Sequence, residues 1–134
     1  MIYKDFQNLR LPMLGFGSMR LPLLPGGGDG DVDEAAVAEM VALAMERGAN
    51  YFDTAYIYPG SEAALGEILA RNQCRDKVRI ASKLPQYLVR GSADLERYFS
   101  EQLRRLKTDH IDYYLMHMLT DVESWHKLEA AGVR

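Results

Sequence analysis

Apolar residues along the chain alternate between two spacings. The first is the short run, seen in Met13-Leu14-Gly15-Phe16-Gly17, Ala49-Asn50-Tyr51-Phe52-Asp53, Val78-Arg79-Ile80-Ala81-Ser82-Lys83 and Ile111-Asp112-Tyr113-Tyr114-Leu115-Met116-His117. Each run is long enough for one strand and ends on a glycine or a polar residue, which a strand buried on both faces does not choose for packing. The end points Gly17, Asp53, Lys83 and His117 recur at about the length of one βαβ repeat, roughly 30 residues.

Between the runs the spacing changes to 3.6. Residues Asp33 to Arg47 place Val37, Met40, Val41 and Ala44 at i, i+3, i+4 and i+7, with Asp33 the expected N-cap and Gly48 just past the end. Ser61 to Ala70 carries Leu65, Ile68 and Leu69 behind Ser61 as N-cap. Ser92 to Leu106 repeats Leu95, Tyr98, Phe99, Leu103 and Leu106 on one face, with Asp94 and Glu96 near the helix N-terminus that favours them. A last helix is expected from Asp121 to Ala131, stopped by Gly132, with Val122, Trp125 and Leu128 on one side.

Strict alternation of strand and helix predicts an α/β fold of four βα units with parallel strands, because each crossover returns the chain to the same end of the sheet. Gly17, Asp53, Lys83 and His117 then meet at the carboxyl edge, where such folds place their chemistry. Upstream, Ile2 to Phe6 and Leu9 to Leu11 flank Gln7-Asn8 and read as a hairpin over about residues 2–11, one that in a barrel could plug the amino-terminal mouth. Leu21 to Asp31 has turn chemistry and no period. Its glycines precede a helix without a following Lys, and Asp29, Asp31 and Asp33 would repel phosphate, so it reads as a flexible surface loop. Gly15-Phe16-Gly17 lacks the third glycine of a dinucleotide fingerprint, since Arg20 stands there.

A length of 134 residues suits one domain, spanning 1–134. Hydrophobic and charged shares of 48% and 26% are those of an ordinary globular chain, which excludes disorder and coiled coil. A net charge of −3 argues against a nucleic-acid partner, which would require a basic excess. The single cysteine, Cys74, sits in the polar connector 71–77 and reads as an incidental thiol; it can form neither an internal disulfide nor a multi-cysteine metal site, which points to a reducing compartment. No apolar run approaches the ~18 residues of a membrane span and the start lacks a signal-like core, so a cytoplasmic protein without membrane contact is expected. His110 falls at the opposite, amino-terminal edge and reads as structural or solvent-facing, and Trp125 reads as core.

Asp53-Thr54-Ala55-Tyr56-Ile57-Tyr58 with Gly60-Ser61-Glu62 and Leu65-Gly66 brings chemistry into this frame. With Leu14 to Pro22 before it, Ala81-Ser82-Lys83 after it and Leu103 to His117 closing it, the chain resembles the aldo/keto reductase family over nearly its whole length. The resemblance implies a (β/α)8 barrel, of which this chain supplies the amino-terminal half. It implies a catalytic tetrad of Asp53, Tyr58, Lys83 and His117, and NADPH (NADP+) as cofactor, with Gly17, Ser18, Met19 and Asp53 beside the nicotinamide and its ribose. Ser18 stands where many relatives carry Thr and keeps the hydroxyl. Hydride arriving at a carbonyl carbon leaves an oxygen that needs a proton, which Tyr58 would give. A phenol, with an ordinary pKa near ~10, gives it up reluctantly unless a cation stands close. Lys83 would be that cation, Asp53 would hold it, and His117 would bond the carbonyl oxygen. No metal is called for. Taken singly, each of these residues has an ordinary alternative: a turn Asp, a core His, a surface Tyr or Lys.

The group that stacks on the nicotinamide and the basic residues for the adenosine 2′-phosphate belong to the half of the family pattern that this sequence does not contain. The leading expectation is therefore the amino-terminal half of an NADPH-dependent oxidoreductase that reduces an aldehyde or ketone, inactive by itself and prone to self-association. A non-catalytic binding or regulatory module on the same fold, and a half-barrel completed by a second copy, remain open. A metal-dependent hydrolase barrel ranks last, as it would want more His and carboxylate at the strand ends.

Overall fold

Gln7 and Asn8 both take positive φ, 48° and 63°, the backbone of a two-residue turn whose twist matches that of the strands it joins. They fold β1 (Tyr3–Phe6) antiparallel onto β2 (Leu9–Pro12), which is the expected hairpin. It lies against the amino-terminal ends of the main sheet: the Tyr3 hydroxyl donates to the Gly48 carbonyl at 2.9 Å and the Phe6 ring stands 6.0 Å from that of Tyr113. Gly48 is held at φ 91°, and an added Cβ there would collide with the Tyr3 hydroxyl. The computed structural model describes residues 1–133, so Arg134, the last residue of the expected domain, lies outside the described residues.

Four parallel strands follow, β3 (Phe16–Gly17), β4 (Tyr51–Asp53), β5 (Arg79–Leu84) and β6 (Tyr113–Met116), ordered β3-β4-β5-β6. Helices α1 (Glu34–Glu46), α2 (Ser61–Arg71), α3 (Ser92–Leu106) and α4 (Val122–Ala130) complete four βα units. β3 is shorter than its apolar run. Met13 and Leu14 are exposed, and the Met13 amide donates to Ile2, so that segment extends the hairpin instead. Asp33 and Asp121 cap α1 and α4 by accepting from the amides of Ala36 and Ser124. Phe52, Ile80, Val78, Leu65, Ile68, Leu69, Val37, Val41 and Leu106 fill the space between sheet and helices; burying one such side chain contributes roughly 1.5–3 kcal/mol. A smaller cluster of Leu84, Tyr98 and Leu128, joined by Trp125, lies under α3 and α4. At the bottom of the sheet Asp112 accepts from Arg75 at 2.8 Å, Arg79 at 3.3 Å and the Ile80 amide at 2.9 Å, which fixes where β6 begins. His110 is half exposed at that same end and bonded to Asp109.

Four expectations are corrected. Met40 is exposed, because the periodic pattern of α1 admits two flanks around Val37 and Val41, and the sheet takes the one with Ala38 and Met45. Ser61 does not cap α2: Gly60, in the left-handed region at φ 71°, holds that place and frees the Ser61 hydroxyl for other partners. The loop from Leu21 to Asp31 is ordered by a Leu23–Val32 bridge, a Leu24 amide bond to Asp31 and a buried Leu21. Cys74 is not in a polar setting; it is buried in the main core, which pushes its thiol pKa up. No helix among the described residues is long and apolar enough to cross a membrane.

Candidate active site

Side chains on a strand alternate between faces, so pairing register decides which residues can meet. Gly17 pairs with Asp53, Asp53 with Ala81 and Ala81 with Tyr113. Lys83 lies two positions beyond Ala81 and His117 four beyond Tyr113. Asp53, Lys83 and His117 therefore share the face turned away from the helices, stepped up the carboxyl edge. The backbone carries the last step: the His117 amide donates to the Leu84 carbonyl at 2.9 Å, one residue past β6. Tyr58 comes from the β4–α2 connection, held by two tight turns in which its amide donates to Ala55 and its carbonyl accepts from Ser61.

The four expected catalytic residues come together. Lys83 Nζ donates to Asp53 Oδ1 at 2.7 Å and to the Thr54 carbonyl at 2.7 Å. The same ammonium stands 5.0 Å from the centre of the Tyr58 ring, a cation–π arrangement. The His117 ring meets the Tyr58 ring edge-on, with centroids 5.7 Å apart at 88°. His117 is 9% exposed, and its buried Nδ1 has no hydrogen-bond partner among the described residues. Burial, then the Lys83 charge, lowers its imidazole pKa below the usual value, with Asp53 pulling the other way. A buried imidazole beside an ammonium stays neutral near pH 7 and offers one N–H and one lone pair.

Gly17, Ser18 and Met19 differ in what they present. Gly17 lies at the open edge beside Asp53, with nothing within 4 Å of the place its Cβ would occupy. Met19 is 59% exposed. Ser18 is only 1% exposed; its hydroxyl donates to the Asp53 carbonyl at 2.6 Å and accepts from Ser61 at 2.8 Å, while Ser61 also bonds Thr54 at 2.8 Å. This chain of three hydroxyls ties the loop after β3 to the end of β4 and the start of α2. Sequence reasoning missed Thr54, Ser61, Glu62, Gln102 and Arg105 as neighbours of the site. The available signal was polarity in the wrong place: Ser82 alternates onto the helix-covered face, and Gln102 sits one turn from both Tyr98 and Leu106 on the buried stripe of α3. Among the described residues no group of three or more His, Cys, Asp or Glu is placed to hold a metal ion.

Comparison with known proteins gives a consistent set of relatives. The aldo/keto reductase family model matches residues 13–131. An uncharacterised oxidoreductase of Bacillus subtilis is 28% identical over 94% of this chain and 42% of its own length. A 6-dehydroglucose reductase of Novosphingobium aromaticivorans is 35% identical over 74% of this chain and 41% of its own. Among solved structures, an aldo-keto reductase from Klebsiella pneumoniae in complex with NADPH superposes with a TM-score of 0.74 at 27% identity, covering 98% of this chain and 47% of that one. The chain thus spans less than half the length of these relatives, and its four βα units correspond to the amino-terminal part of their barrel.

Proposed function

Because the chain belongs to the aldo/keto reductase family, an oxidoreductase family, we propose that it carries the proton-transfer half of a site that reduces an aldehyde or ketone to an alcohol with NADPH. The single observation that carries this reading is the Lys83 ammonium, gripped by Asp53 and facing the Tyr58 ring, with the neutral His117 edge-on to that ring. The nicotinamide end of the cofactor fits the residues present: Gly17 leaves open backbone against which a flat ring can lie, and Met19 is exposed beside it. When bound, NADPH supplies the hydride.

The protein's own part is the proton. As negative charge develops on the carbonyl oxygen, the Tyr58 hydroxyl gives it a proton, and the Lys83 charge stabilises the phenolate left behind. Asp53 and the Thr54 carbonyl aim the ammonium. His117 donates an N–H to the same carbonyl oxygen, which orients the substrate and rejects molecules without an acceptor there. Ser18 acts through its fold: its hydroxyl holds the backbone that carries Gly17 and Met19. The acidic loop through Asp29, Asp31 and Asp33 offers no grip for a 2′-phosphate.

The test is Tyr58→Phe in a complete barrel that carries this chain. Turnover of a carbonyl substrate should fall by about 10²-fold or more, the usual scale for losing a general acid, while NADPH affinity by fluorescence titration stays within twofold. Near-normal turnover would remove Tyr58 from the role.

A further inference from the structure

On the face of the sheet opposite the site, Ser82, Glu62 and Gln102 are buried together, each no more than 2% exposed. Burying three polar side chains among helices costs free energy unless every group is paired, and here they are. The Ser82 hydroxyl donates to Glu62 Oε1 at 2.7 Å. Gln102 Nε2 reaches the same oxygen at 2.6 Å, the Ser82 hydroxyl at 2.7 Å and the Lys83 carbonyl at 3.3 Å. The other Glu62 oxygen faces Arg105 Nη1 at 3.4 Å. Tyr114 closes the set by donating to Gln102 Oε1 at 2.6 Å; burial, then the Glu62 charge, pushes its phenol pKa well up, so it remains a donor.

Stability is a weak reason for such a cluster, since well-packed apolar residues in place of a buried ion pair are often as stable or more so. Its two ends suggest what it does. One end is the Gln102 amide on the backbone of Lys83. The other is Arg105, whose Nη1 donates to the Tyr56 carbonyl at 3.1 Å and whose guanidinium lies 4.2 Å above the Tyr56 ring, two residues before Tyr58. Arg105 is partly exposed and is braced from outside by Glu101 at 3.0 Å. A continuous set of hydrogen bonds therefore runs from the strand that carries Lys83, through Gln102, Glu62 and Arg105, to the loop that carries Tyr58.

We propose that the Glu62–Arg105 ion pair, together with Ser82 and Gln102, is a positioning device that sets the Tyr58 ring against the Lys83 ammonium. These residues lie on the helix-covered side of the sheet and act through Tyr58 and Lys83, and so the proposal rests on the reading of those two as proton donor and cation. A connection anchored only by its own turns leaves the ring free to rotate away, whereas a bond to the Tyr56 carbonyl fixes the backbone immediately ahead of it.

Glu62→Gln/Arg105→Met tests the device, because it removes both charges at once and leaves neither buried alone. Arg105→Lys is the second variant: it keeps a charge beside Glu62 and loses both the planar guanidinium over the Tyr56 ring and the Nε bond to Glu101 that aims Nη1 at the Tyr56 carbonyl. The readout is the nuclear magnetic resonance shift of the Lys83 ε-methylene protons caused by the Tyr58 ring, measured in this chain as the difference from Tyr58→Leu. It should fall to half or less in the double variant and be visibly reduced in Arg105→Lys, with the β4 and β5 amide signals unmoved. In a complete barrel, kcat of the double variant should fall about 10-fold or more, since small displacements at a reacting centre cost that much, with KM for NADPH unchanged. A parent-like Lys83 shift in either folded variant overturns the proposal; if the double variant does not fold, Arg105→Lys decides. Full turnover by Tyr58→Phe would instead sink the reading of Tyr58 as proton donor, and leaves the shift measurement to be judged by itself.

Discussion

His117 combines burial, a neighbouring cation and a nitrogen without a partner among the described residues, and each of these favours the uncharged ring. Its folded pKa lies below the unfolded value near ~6.5, so protonation favours the unfolded chain. The stability this supplies is complete above about pH 6.5 and is lost as the pH falls toward the lowered folded value. Thermal melting followed from about pH 7.5 to 5 should therefore decline less steeply for His117→Asn than for the parent, after the carboxylate contributions common to both cancel. Parallel curves would show that the ring is not held neutral by its surroundings. At the same scale, Lys83→Met should reduce turnover of a complete barrel by about 10²-fold or more, comparable to losing the proton donor itself. Asp53, Lys83 and His117 were legible in the sequence because each ends an apolar run and the runs recur at one spacing, whereas Tyr58 was legible only through the resemblance of Asp53-Thr54-Ala55-Tyr56-Ile57-Tyr58 to the family. Glu62 and Gln102 were not. Their partners lie 20 and 40 positions away along the chain, and a charged or amide residue on a helix reads locally as a solvated one until the facing element is known.

The contact of α2 with α3 depends on one missing side chain. Gly66 stands one turn after Glu62 on the α2 face toward α3, and an added Cβ would run into the Arg105 carbonyl and the Leu106 backbone. Neither can yield cheaply, as both belong to a helix. Gly66→Ala, which ordinarily favours a helix, should here destabilise by roughly 1–3 kcal/mol, the range for overpacking a tight contact, seen as a lower denaturation midpoint. A gain in stability would mean the helices can separate without loss. Asp33→Ala, removing the bond to the Ala36 amide, should cost about 1 kcal/mol, measured in the same way. The Asp33 cap could be read from the sequence because the carboxylate bonds an amide three residues on, a purely local event. The start of α2 could not, since Gly60 takes the left-handed backbone and Ser61 turns to Ser18 and Thr54. The exposed flank of α1 was likewise decided by the sheet and not by the helix.

Over the whole molecule, β3 and β6 each have one paired side and one open side, and the face bearing Leu115 and Met118 is exposed. The outermost helices carry apolar residues outward too, Met40 and Leu43 on α1 and Val122 on α4. Eight parallel strands close a barrel, and two copies supply eight: β6 of one beside β3 of the other, with α4 of one against α1 of the other. Sedimentation of this chain should accordingly give a two-fold dimer at micromolar concentration, weakened by Leu43→Glu. A monomer at that concentration would show that the open edges are tolerated.

Order in the sheet follows order in the chain, so each βα unit touches chiefly the unit before it and the unit after it, as in a repeat array. In the separated chain, below the concentration at which copies pair, such an array opens from its ends. Asp53, Tyr58 and Lys83 belong to the two inner units, each flanked on both sides, while His117 follows β6 in the last unit with one flank only. Amide exchange should hence be fastest in 113–133 and slowest in 79–84. The first excursion from the native state would carry away His117, the residue proposed to orient the substrate, while the Asp53–Lys83 pair and the Tyr58 ring stay assembled.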